Sequence, residues 1–182
     1  MRIIGGSKKG TAIQPPKSMK LRPIKDNSKE NIFNIIWNYF DFEDITVLDL
    51  FSGTGGISYE FASRGTEHIL AVDNHPSSVK FIEKETERLG FDDKIEVLRM
   101  SAFDYLKATD EQFDIIFIDP PFALENKRSL IDLIFDNNLL KPQGMVIMEH
   151  FKKEDFEDHP NFREYRKYGK SVFSFFENKP EA

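Results

Sequence analysis

TVLDLFSGTGG, residues 46–56, joins an apolar run to a glycine turn, and its reading decides the fold. Val47, Leu48, Leu50 and Phe51 surround a single carboxylate, Asp49, which suits a strand covered on both faces in an α/β sheet. Gly53, Gly55 and Gly56 follow at once. Without Cβ atoms there, the turn can take left-handed dihedrals and a ligand can approach the backbone. A dinucleotide fingerprint needs a third glycine where Ser58 stands, which counts against NAD. The plain alternative is a tight strand-to-helix turn with nothing bound.

A second run answers the first: FDIIFIDPPF, residues 113–122. Ile115, Ile116, Phe117 and Ile118 are too continuously apolar for a half-exposed strand, so this one belongs at the sheet's centre. The loop that ends it has two prolines, each lacking an N–H and fixing φ near about −65°. It therefore offers acceptors without donors. A target amine can give one N–H to the Asp119 carboxylate and one to the Pro120 carbonyl while Phe122 stacks on the attached base. Such an amine is planar, its lone pair delocalised into the ring; drawing both hydrogens out of plane frees that pair to attack. The plain alternative is a rigid loop with Asp119 capping the strand end.

Around these two runs the chain alternates helix and strand. Ile32, Phe33, Ile36, Trp37 and Phe40 recur at helical spacing after Asp26, a suitable N-cap, and the aromatics are read as that helix's core face. A helix from Gly56 stops near Gly65, a strand covers residues 68–73, and Pro76 to Gly90 frames a second amphipathic helix. Asp73 closes its strand beside the glycine turn, where a carboxylate can accept hydrogen bonds from both ribose hydroxyls of an adenosine. Residues 95–100 form a third strand and residues 145–149 a fifth, after a turn at Pro142 and Gly144. Glu149 and His150 have no visible third partner and are given no acid–base role. Residues 162–168 and 171–176 read as a hairpin turning at Gly169. The whole is an α/β, doubly wound, mostly parallel sheet of about seven strands with its ligand at the carboxyl ends of the central strands.

The 182 residues amount to one domain and contain no cysteine, which removes disulfides, iron–sulfur clusters, thiolate zinc sites and cysteine-nucleophile methylation of pyrimidine carbon. The four histidines show no ligand spacing, so no metal is expected; no membrane span or signal peptide is visible either. A cytoplasmic protein follows. Charge is uneven: residues 1–30 hold eight Lys and Arg against two Asp and Glu, although the chain carries −6 overall. Residues 1–25 are read as a basic arm with few buried contacts, and residues 26–182 as the single catalytic domain. A basic arm on an acidic domain grips a polyanion locally; a merely solvated tail is the alternative.

The pattern D-x-F-x-G-x-G-G at residues 49–56 resembles the first motif of class I S-adenosylmethionine-dependent methyltransferases, whose glycine loop receives the methionine end of the cofactor. That likeness implies a Rossmann-like fold with Asp49, Phe51, Gly53, Gly55, Gly56 and Asp73 at the cofactor, and Ala102 and Phe103 clamping the adenine. With the opening RIIGG (2–6), LRP (21–23), IFN (32–34) and DPPF (119–122), the chain resembles the RsmD-type methyltransferases, which modify the exocyclic N2 of a guanine in small-subunit ribosomal RNA. The resemblance runs nearly the whole chain. It implies S-adenosylmethionine as methyl donor and S-adenosylhomocysteine as product. It also implies a monomer acting on 16S rRNA within the 30S subunit or an assembly intermediate, Asp119, Pro120 and Phe122 as catalytic residues, and Arg2, Lys8, Lys9, Arg22 and Lys29 at the RNA. The family commonly has arginine where Lys29 stands, which removes a bidentate phosphate contact. Two rival readings share these motifs: a DNA or small-molecule amino methyltransferase, and a non-catalytic nucleotide-binding module.

Overall fold

The computed structural model describes residues 1–181 and arranges seven strands in one mixed sheet. They are β1 (Thr46–Leu50), β2 (His68–Asp73), β3 (Ile95–Arg99), β4 (Phe113–Ile118), β5 (Leu140–Phe151), β6 (Phe162–Tyr168) and β7 (Ser171–Phe176), in spatial order 3-2-1-4-5-7-6. β1 to β5 pair in parallel, and β7 runs antiparallel to both β5 and β6. This is the doubly wound sheet with a C-terminal hairpin that the sequence leads one to expect.

Alternation within each apolar run builds two cores. Val47, Ile69, Ile115 and Ile147 face one side, where they meet α1 (Asp26–Tyr39), α2 (Gly56–Ser63) and α3 (Pro76–Leu89) through Phe33, Phe61 and Ile82. Leu48, Leu70, Ile116 and Val146 face the other, against Leu106 of α4 (Ala102–Ala108) and Leu130 and Ile134 of α5 (Lys127–Asp136). Each such side chain contributes about 1.5–3 kcal/mol on burial, which is why adjacent positions in these strands are all apolar. Strand order reverses between β1 and β4, so a crevice opens beyond their carboxyl ends. Among the described residues no helix is long and apolar enough to cross a membrane.

Four expectations are corrected. Trp37 is 65% exposed and lies over Phe42, ring centroids 5.9 Å apart, because the buried stripe of α1 runs through Ile32, Phe33 and Ile36. Asp26 is the first helical residue rather than the cap, and its carboxylate pairs with Arg2 at 2.7 Å. β5 starts at Leu140, earlier than the Pro142 and Gly144 punctuation suggests; an irregularity opposite residues 113–115 of β4 absorbs the proline. The opening residues, expected to make few buried contacts, are part of the core. Ile3 and Ile13 are buried, and Arg2 and Ala12 form an antiparallel bridge that folds the segment into a small hairpin. Gly6, at φ +76°, sits so close to the end of α2 that a Cβ would lie 1.9 Å from the Ser63 carbonyl oxygen. The Ser63 hydroxyl donates to the Gly5 carbonyl and accepts from the Lys8 N–H.

Candidate active site

The carboxyl ends of β1, β2, β4 and β5 form one wall of a cavity of about 710 Å³; residues 18–24 and Met1 form another. Its size suits a small-molecule site. The glycine turn is set by short bonds: Gly55 N–H donates to the Ser52 carbonyl at 2.7 Å, and Gly53 N–H to the Asp73 carboxylate at 2.9 Å. Gly55 takes φ +81° and its Cα faces the Tyr59 ring, where a Cβ would lie 2.5 Å away. The cavity is therefore lined by Gly53, Thr54 and Gly56 but not by Gly55, which serves the turn. Phe51 also has a positive φ, 58°, an uncommon state for a bulky residue and one found where a surrounding site holds it.

Asp73 lines the cavity with both oxygens already tied to the backbone, one to Gly53 N–H and one to His75 N–H. Each oxygen keeps a lone pair for a further donor. Asp49 is buried and accepts from the Ser58 hydroxyl at 2.7 Å. Burial pushes its carboxyl up to about 7, with the Asp73 charge adding to the rise and the Ser58 bond opposing it. Ala102 and Phe103 depart from expectation. They open α4, where Ser101 is the N-cap, and neither reaches the cavity wall.

Asp119 leaves β4 with its N–H directed at the Leu50 carbonyl of β1, and Pro120 is buried behind it. Phe122 is not free to take a base. Its ring stacks on Phe151 at 3.7 Å, and the Arg22 guanidinium lies over it at 4.8 Å from the centroid. Stacking on a target base therefore requires Arg22 to withdraw. The loop is fastened from beneath by Lys127, a buried residue that the sequence does not flag. Its ammonium donates to the Phe122 carbonyl at 3.2 Å and pairs with Glu154, whose other oxygen accepts from Phe151 N–H.

Glu149, given no acid–base role from the sequence, stands beside Asp119. Ile118 of β4 pairs with Met148 of β5, so Asp119, one residue past the end of β4, lies beside Glu149, which continues in β5 opposite Phe173 of β7. Both line the cavity, one strand spacing apart. Burial, then the Glu149 charge, raises the Asp119 carboxyl well above the ordinary carboxylate range; Asp49 adds to the rise and Arg22 opposes it. The register that joins them is a property of the sheet, and no spacing along the chain reveals it.

The basic residues divide. Lys8 and Lys9 are exposed beyond the N-terminal hairpin, Arg2 is exposed and paired with Asp26, and Arg22 stands at the cavity mouth. Lys29, expected at a phosphate, is instead 2% exposed, donating to the Arg2 carbonyl at 2.6 Å and lying 3.5 Å from the buried Glu60. It closes a buried charge network in which Glu60 also accepts from Ile4 N–H and Arg64. Of the histidines, His150 bonds to Ser174 and His159 to Asp132, and no metal-binding cluster occurs among the described residues.

The family model described as Conserved hypothetical protein 95 matches residues 1–177. YlbH of Bacillus subtilis, a provisionally assigned rRNA methyltransferase, is 34% identical over 87% of this chain and 86% of its own. Ribosomal RNA small subunit methyltransferase D of Haemophilus influenzae is 31% identical over 82% of this chain and 78% of its own. Among solved structures, a hypothetical protein from Thermus thermophilus superimposes with a TM-score of 0.86 over 98% of this chain and 99% of its own, at 24% identity, and shares the fold.

Proposed function

The chain belongs to the Conserved hypothetical protein 95 family of RsmD-like methyltransferases, and from that premise we propose that it transfers a methyl group from S-adenosylmethionine to the exocyclic N2 of a guanine in 16S rRNA. One observation carries the reading: an acceptor-only loop, Asp119-Pro120-Pro121-Phe122, opens onto a cavity walled by Asp49, Asp73, Asp119 and Glu149. Even with the Asp49 and Asp119 carboxyls raised, this wall keeps negative charge that disfavours a pyrophosphate and suits a cationic cofactor, which argues against NAD or ATP in this crevice. The residues present fit S-adenosylmethionine. Asp73 would receive the ribose hydroxyls, the glycine turn would admit the methionine end, and the acidic wall would face the sulfonium. When bound, this cofactor supplies an electrophilic methyl group and a neutral thioether as leaving group.

The chain's own part is positioning. Asp119 and the Pro120 carbonyl take the two N–H groups of the amine and hold it pyramidal, so that its lone pair points into the cavity. Phe122 receives the ring once Arg22 moves aside, and Arg22, Lys8 and Lys9 meet phosphates. The substrate is taken to be rRNA in the 30S subunit or an assembly intermediate, and the working unit a cytoplasmic monomer. Labelled methyl transfer to 30S particles, naked 16S rRNA and DNA, followed by mass spectrometry of the modified nucleoside, tests the proposal. N2-methylguanine in 16S rRNA is the expected product, and label in DNA alone would sink the reading.

A further inference from the structure

The Asp119–Glu149 pair does more than the proposed mechanism asks of Asp119 alone. The two carboxyls stand at adjacent parallel strands and line the same cavity, while among the described residues no cation lies within ion-pair distance of either. Two carboxyls placed one strand spacing apart in a shared cavity are not readily both ionised, since each like charge disfavours the other's ionisation. A hydrogen bond between two carboxyl groups needs one proton to donate. The charged and titratable groups around them do not remove that requirement. Asp49 on β1 adds negative charge, whereas Arg22 opposes it, and Lys29 and Asp73 also line the cavity. Lys25, Tyr168 and Lys170 line, with Glu149 and Arg22, a small adjoining recess.

We propose that Glu149 is a positioning residue for methyl transfer, holding one proton in common with Asp119 so that a single Asp119 oxygen is turned to the target amine. This rests on the assignment of Asp119 to that amine. With the shared proton between the carboxyls, Asp119 keeps one oxygen bonded to Glu149 and the other free to accept an N–H. The pair then carries one negative charge, enough to favour an amine becoming cationic. Once methylated, the nitrogen bears a positive charge and a surplus proton. Its N–H bond breaks, an O–H bond forms on Asp119, and the pair passes from one proton to two and from −1 to neutral. Release of that proton to solvent restores the starting state.

The test begins without substrate. Carboxyl-¹³C NMR titration of the wild type should show two steps belonging to the pair, the upper one well above the ordinary carboxylate range. In Glu149→Gln a single Asp119 step should remain, lower than the wild-type upper step, because the neutral amide still donates to Asp119 but adds no charge. Kinetics follow. Glu149→Ala should lower kcat by about 10- to 100-fold, a larger change than any in cofactor affinity, and Glu149→Gln should recover most of the loss. The wild-type fall in kcat at high pH, where the shared proton is lost, should be absent in Glu149→Gln. An Asp119 titration that Glu149→Gln leaves in place overturns the pair, and so does equal impairment of both variants with an unchanged pH profile. Because the titration needs no RNA, a wild type inactive on rRNA defeats the substrate assignment and leaves the shared proton standing.

Discussion

The half-buried Asp119 and the buried Asp49 are carboxyls of one site, yet they lead to opposite experiments. Asp119→Ala removes the acceptor for the amine, so single turnover should slow by about 100-fold or more with S-adenosylmethionine binding retained. Asp119→Asn keeps an acceptor oxygen but gives up the charge, so it should lie between the alanine variant and wild type; an alanine variant as fast as wild type returns the loop to a capped strand end. Asp49, in the cavity wall, accepts a hydrogen bond from Ser58, and its burial carries a stability effect of its own. Its folded carboxyl lies at about 7 against 3.8 when exposed, so the folded state binds more protons between these values. Its stabilising contribution is complete below 3.8 and is lost as pH rises through about 7. Asp49→Asn removes that loss. Thermal unfolding at pH 5 and pH 8 should show the variant gaining on wild type at the higher pH, and an unchanged difference between the two pH values would refute the burial argument. Sequence reading found both aspartates because each stands out against an apolar run, Asp49 within one and Asp119 at the end of another. It named Glu149 but gave it no role, since its partner lies across a strand pair rather than nearby along the chain.

Elements hold these residues in place, and here the sequence was legible in outline and silent on fastening. The strand runs, Pro76, Gly90 and Gly169 announce their elements through local chemistry: burial on two faces, a fixed φ, a left-handed cap. Lys127 announces nothing, because a lysine at the start of a helix is ordinarily solvated. In the fold it clamps the Phe122 carbonyl and Glu154 beneath the DPPF loop. Lys127→Met should therefore reduce kcat while leaving cofactor affinity near wild type, and should destabilise the fold by about 2 kcal/mol, less than the 3–5 kcal/mol of a fully buried broken pair because Glu154 is partly exposed. A variant with wild-type kcat would show that the clamp is not needed to place the loop. Gly6 was readable as a turn residue, but its reason is the Ser63 carbonyl more than fifty residues away. Trp37 was misplaced because periodicity gives a stripe's direction and not its width.

For the whole molecule, charge distribution matters more than total charge. The chain carries −6, yet its opening thirty residues are strongly basic and fold onto α2 and across the cavity, so the basic segment and the glycine turn border the same cavity. The sequence shows the asymmetry; it does not show that Ile3 and Ile13 anchor it in the core, because isolated isoleucines among polar residues give no period. The anchoring separates two functions of the basic residues. Lys8 and Lys9 stand clear of the cavity, so changing both to Gln should raise KM for the ribosomal substrate and reduce the salt slope of binding by up to about 2, leaving kcat and cofactor affinity alone. Arg22 lies over Phe122 and opposes the rise of the Asp119 carboxyl. Arg22→Gln should thus weaken RNA binding and also move the upper titration step of the Asp119–Glu149 pair to higher pH, since removing a cation makes a carboxyl harder to ionise. Equilibrium binding across a salt series, together with carboxyl NMR on each variant, separates the two effects. An Arg22 variant that alters RNA affinity without moving the carboxyl step would place its guanidinium with the phosphates alone, whereas RNA binding with an unchanged salt slope in the Lys8 and Lys9 variant would reduce those lysines to solvated surface.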